Sequence, residues 1–196
     1  QYLRFWGRLF HGDLGPSLGS FPVPVTQIIG NALPWTVGLL GTTTILSWLL
    51  GLILGTLAGY FPERGWSKVL DKVVVVIYPI PNYILALVLL MVFAYYIPAF
   101  PLVGGARGRP TMSWTYIQSV LQHAFLPAMS LIVGGVAFRF IVAKAMASSI
   151  TSSDHVQYAK TAGLATSTIV RNNVMRNALL PQITDLGLSL GGMFEG

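Results

Sequence analysis

Apolar residues in this chain come in long unbroken runs separated by short polar stretches, not in the half-sided or alternating patterns of a soluble domain. From Trp35 to Tyr60 every residue is apolar, small or hydroxylated. About 20 helical residues cross a hydrocarbon core of ~30 Å, so this run predicts a spanning helix. Val73 to Ile97 predicts a second, interrupted only by Pro79, Pro81 and Asn82 near its start and closed by Pro98. Val120 to Ala147 predicts a third, with Pro127 early, Gly134 and Gly135 in the middle and Arg139 late. Pro181 opens a fourth run, because proline is best tolerated in the first turn of a new helix. No internal repeat or low-complexity linker divides the chain. The expectation is an all-α membrane protein: an extracytoplasmic segment over 1–34, then one membrane domain over 35–196 with spans at about 35–60, 73–97, 120–147 and 181–196 and a polar loop over 148–180.

Composition agrees. Hydrophobic residues make up 54% of the chain and charged ones only 9%, with a mean hydropathy of +0.67. A soluble domain carries about a quarter charged residues, so the partner this surface needs is membrane lipid. The net charge of +6 comes from 12 basic and 6 acidic residues without a run of like charge, which gives no footing for a nucleic acid. If 61–72 and 144–180 share one side, that side holds Arg64, Lys68, Lys72, Lys144, Lys160, Arg171 and Arg176, against Arg4, Arg8, Arg107 and Arg109 on the other. The excess of basic residues favours a cytoplasmic 148–180 loop. Trp6, Trp66, Trp114 and Tyr116 fit anchors at headgroup level. There is no cysteine, and so no disulfide framework or thiolate metal site.

Three local patterns bear on function. Ser47, Gly51, Gly55 and Gly59 recur every four residues and form one strip of small side chains along the first span, either for fixed packing within the chain or for a contact that slides between two states. Pro79 and Pro81 each remove a backbone donor and free a carbonyl one turn earlier, so the second span kinks or starts irregularly there. Arg139 would cost ~2.5 to 3.5 kcal/mol at the bilayer centre if unpartnered. It either snorkels toward the headgroups near Lys144 or meets a counter-charge, for which Asp185 is the nearest candidate.

Catalytic chemistry is scarce. His11, His123 and His155 are scattered without HExxH spacing, His123 reading as an interfacial residue before a ligand, and there is no GxxxxGK[ST] phosphate loop. We expect no catalytic residue and no bound metal. Gly104 and Gly105, followed by Arg107 and Arg109, read as an outward loop or as a contact for a substrate-loading protein.

The most informative segment is the polar block DHVQYAKTAGLATSTIVRNNVMRNALLP from Asp154 to Pro181. Gly163 permits a turn with φ > 0 between two short helices, Gln157 to Ala162 and Ala165 to Asn177. This block resembles the cytoplasmic loop of the membrane subunits of bacterial ABC importers, whose signature runs E-A-A, three residues, G, then a His/Asn-rich helix and a proline. Gln157, Tyr158 and Ala159 hold the E-A-A places, followed by Lys160. Gly163 holds the glycine, followed by Leu164. Asn173 stands where histidine is frequent, and Arg176, Asn177 and Pro181 close the motif. The RNALLP string, GDLGPS at 12–17 and PVTQIIGNALPWT are similar to the dipeptide, oligopeptide and nickel branch, and the resemblance covers nearly the whole chain. Gln157 departs from the glutamate of the signature, so a contact made by that carboxylate elsewhere does not carry over.

The resemblance implies a type I ABC importer transmembrane domain in the inner membrane, multi-pass, with the signature loop facing the cytoplasm. With about six spans in the branch, this chain reads as a fragment holding three full spans and part of a fourth. Implied partners are two ABC ATPase subunits, a second homologous permease and an extracytoplasmic solute-binding protein. The chain would bind no cofactor, ATP and Mg residing on the ATPase subunits. Ala159 and Gly163 would fit into the ATPase groove while Asn173, Arg176 and Asn177 brace the loop. Similarity to the S-x-P segment of the peptide branch puts Pro79, Pro81 and Asn82 near the translocation path, a helix-start device being the other reading. The cargo is a peptide, an oligosaccharide or nickel. The alternative class, a passive channel or ion-coupled transporter, would need intramembrane carboxylates, and the three complete spans contain no Asp or Glu.

Overall fold

A computed structural model describes residues 2–106 and 111–194, so Arg107, Arg109 and the last two residues of the predicted fourth span lie outside the described residues. All regular elements among the described residues are helical: α1 (Tyr2–Phe10), α2 (Val25–Tyr60), α3 (Gly65–Ile77), α4 (Asn82–Leu90, continued as a π-helix over Met91–Tyr96), α5 (Trp114–Thr151), α6 (Asp154–Thr161), α7 (Thr166–Thr168) and α8 (Arg176–Gly191). A π-helical stretch, Ile169–Met175, joins α7 to α8 without a break.

Among the described residues two helices, α2 and α5, are each long and apolar enough to cross a membrane. Both exceed the predicted spans. α2 begins at Val25, so 25–34 is helix and not part of a separate leading segment; Pro34 is accommodated inside it. α5 begins at Trp114 because Ser113 caps it, its Oγ accepting from the Tyr116 amide at 3.3 Å. The two run side by side in the same direction, and the strip of small residues is the seam between them. A Cβ on Gly51 would stand 2.5 Å from Arg139 Cβ, one on Gly55 2.6 Å from the Phe140 carbonyl oxygen, and one on Gly59 2.6 Å from that of Lys144. The strip thus lies within the chain, with α2 directly against α5.

The predicted second span is corrected. It is two helices bent by 98°, α3 and the Asn82–Tyr96 arm. Pro79 and Pro81 explain the break: each lacks the helical N–H donor, leaving only that of Ile80 between them, and the helix starts afresh at Asn82. Ile80 closes a single turn onto the Ile77 carbonyl (2.9 Å), and Pro81 is extended at φ −57°, ψ 140°. α3 stays against the α2–α5 pair: Ser67 Oγ donates to the Ala58 carbonyl at 3.2 Å, Asp71 pairs with Lys144, and Val74 packs with Ala58, Ala137 and Phe140.

The fourth span is corrected too. Pro181 does not start a helix but lies inside α8, which arrives from the loop as a continuous rod. The polar residues around Asn173 keep helical geometry because Ile169, Val170, Val174 and Ala178 are buried at near-helical spacing along one side.

Candidate functional site

The polar block forms a platform at the bundle end that carries Tyr60 and Thr151. Gly163 has φ +75°, and its amide closes α6 onto the Lys160 carbonyl (3.0 Å). A Cβ there would meet nothing within 4 Å, so backbone conformation alone selects glycine. The platform is fastened from below. Val156 and Ala159 are buried in a cluster with Ala147, Ile169 and Val174. Ala159 is therefore turned into the protein and not outward toward a partner's groove. Its small side chain lets α6 lie close on its support.

Polar contacts complete the fastening. Gln157 Nε2 donates to the Thr151 carbonyl at 2.9 Å, satisfying an orphan acceptor at the end of α5. A glutamate in that position could not donate this bond while ionised. Asn177 Nδ2 donates to the Asn173 carbonyl at 2.6 Å and lies 3.4 Å from His155 Nε2, linking the start of α8 to α6. Lys160 Nζ sits 5.6 Å from the Tyr60 ring centroid. The outer surface is left to Tyr158, 74% exposed, Leu164, Gly163 and the loop between them, with Arg176 and Pro181 exposed on the following helix.

A second polar centre lies deeper. Arg139 is 8% exposed and does not snorkel. Its Nη1 donates to Ser47 Oγ of α2 at 3.1 Å and its Nη2 to Ser189 Oγ of α8 at 2.9 Å, while Nε stands 3.3 Å from Asp185 Oδ2. That last approach is a charge contact without hydrogen-bond alignment, since both atoms lack a hydrogen-bond partner. Asp185 as counter-charge is thus the reading the structure supports. Nearby, Trp48 Nε1 donates to the Gln182 carbonyl at 2.7 Å. Sequence reasoning missed Ser189 and Gln182. Their signal was the 182, 185, 189 spacing, which aligns three polar residues on one helical face of an otherwise apolar segment.

Pro81 and Asn82 line a groove of about 310 Å³ together with Tyr78, Gly134, Gly135 and Arg139. Pro79 belongs to the break but does not line the groove. The break sits against the middle of α5, since Asn82 Oδ1 presses on Gly134 so closely that a side chain there would overlap it. Among the described residues no group of three or more His, Cys, Asp or Glu could hold a metal ion.

The family model described as binding-protein-dependent transport system inner membrane component matches residues 51–196. Over its whole length the chain is 29% identical to the oligopeptide transport system permease protein OppB of Haemophilus influenzae. It is 27% identical to the dipeptide transport system permease protein DppB of Bacillus subtilis and 27% to the glutathione transport system permease protein GsiC of Salmonella typhi. The chain spans about 60% of the length of these relatives.

Proposed function

This chain belongs to the family of binding-protein-dependent transport system inner membrane components, and from that membership we propose that it acts as a permease subunit of an ATP-driven importer of peptide-type solutes. The names of its relatives, which transport oligopeptides, dipeptides and glutathione, favour peptides among the cargo classes. Its partners in this reading are two ATPase subunits, a second related permease and an extracytoplasmic binding protein that delivers the solute. The observation that carries the proposal is the α6 platform: a short helix fastened to the ends of α5 and α8, with an exposed face at Tyr158, Gly163 and Leu164.

Force applied to α6 has a direct route inward. It passes through the cluster of Val156, Ala159, Ile169 and Val174 and the His155–Asn177 contact to α8. α8 is gripped in turn by Trp48 and Arg139, so a displaced platform pulls on the α2–α5 pair. Packed interfaces of this kind switch between discrete arrangements instead of deforming smoothly. Reconstitution of the full-length permease with its partners tests the proposal. Peptide uptake into proteoliposomes should require both ATP and the binding protein; uptake that persists without ATP would point to a channel or an ion-coupled carrier.

A further inference from the structure

Non-helical backbone at membrane depth is tolerated only where protein covers it or where it borders water. Here the 78–81 break borders the groove of about 310 Å³, and of the described residues lining it only Arg139 is charged. Gly134 and Gly135 leave one wall as bare helix backbone, and Asn82 supplies an amide on the other.

The guanidinium is buried yet incompletely used. Its two aligned bonds go to the neutral hydroxyls of Ser47 and Ser189, a third contact to the Gly135 carbonyl is long at 3.5 Å, and Nε faces Asp185 without alignment. Guanidinium offers five donors in a planar fork that matches a carboxylate in two parallel bonds, and no carboxylate meets it that way here. We propose that this groove is a transit station for a free carboxylate of the passing solute, received by the Arg139 fork with the Asn82 amide as a second polar contact. The proposal rests on the importer reading above. Asp185 competes for the same positive charge and keeps the station weak, as a translocation path requires if the cargo is to leave again. The described residues lining the groove include no carboxylate to hold a bare divalent cation, and a neutral oligosaccharide offers no carboxylate to match the fork, so the groove favours the peptide class among those left open by the sequence.

The test uses the assembled importer in proteoliposomes, with full-length permease, partner permease, ATPases and binding protein. A tripeptide and its C-terminal amide are each supplied at a concentration that saturates the binding protein, and the carboxylate-to-amide ratio of uptake rates is read. Wild type should prefer the carboxylate. In R139Q the ratio should fall about tenfold, the size expected for hydrogen bonds to a charged group. R139Q leaves Asp185 without its counter-charge, so the double variant R139Q/D185N removes both charges and should show the same fall. A wild-type ratio in the double variant, including one in which both peptides slow equally, would overturn the carboxylate station and leave the importer reading intact. Failure of the wild-type complex to take up either peptide would instead retract the importer reading itself.

Discussion

At Gly55 the consequence of one methyl group follows from what a Cβ would touch. It would stand 2.6 Å from the Phe140 carbonyl oxygen and 2.8 Å from Ala143 Cβ, positions fixed to the α5 backbone, so α2 and α5 must separate to admit it. Forced overpacking of this kind costs ~1 to 3 kcal/mol. Gly55→Ala should therefore lower the melting temperature of the purified complex, and Gly55→Leu should prevent close approach altogether. Gly38→Ala is the internal control: nothing lies within 4 Å of its added Cβ, and alanine is the better helix former, so stability should hold or rise slightly. Equal melting temperatures for Gly55→Leu and wild type would show that the seam is not tight. The every-four spacing made this strip legible in the sequence, because helix geometry alone brings those positions to one face. Arg139 is legible in part, as a buried charge that needs a partner and with Asp185 as the candidate. The two serines that complete its set, Ser47 and Ser189, lie 92 and 50 residues away on two other helices, a pairing that local pattern does not encode.

Among the elements, the turn between α6 and α7 is the one whose sequence most directly dictates its form. Gly163 at φ +75° occupies a region that β-branched residues avoid, and such strain costs of order 1 to 3 kcal/mol. Gly163→Val should therefore distort the platform without any steric clash, since the space around the glycine is open. The expected result is reduced co-purification of the ATPase and uptake reduced several-fold, whereas Gly163→Asn, which tolerates the left-handed region, should retain most of both. Unchanged co-purification in Gly163→Val would detach the platform from ATPase docking. The turn could be read in advance because it depends on one residue. The 78–81 break is legible as a kink or an irregular helix start, but not its angle, for proline states which backbone bonds are lost and not the direction in which the chain resumes. That angle is set where Ser67, Asp71 and Val74 hold α3 against α2 and α5. α8 departs from its expected start for a related reason: proline favours a first turn, but the buried side of Ile169, Val170, Val174 and Ala178 carries the helix on through Pro181.

For the molecule as a whole, the parallel course of α2 and α5 ties the orientation of every loop to a single choice. Both helices run from the 11–24 loop and the Trp114 end toward Tyr60 and Thr151, so the α6–α7 platform must lie on the side opposite Ser20. The sequence favours a cytoplasmic platform through its loop lysines and arginines, but with a narrow excess, and Arg139, by being buried in the bundle, adds nothing to that bias. Cysteine accessibility decides it. Ser167 and Ser20 are both exposed, and the chain has no native cysteine to give background labelling. In intact cells a membrane-impermeant thiol reagent should label Ser20→Cys and spare Ser167→Cys, and permeabilisation should expose the latter. Labelling of Ser167→Cys from outside would put the platform where no cytoplasmic ATPase reaches it; the route from α6 through α8 to Arg139 would then have nothing to drive it, and the importer reading would fall with it.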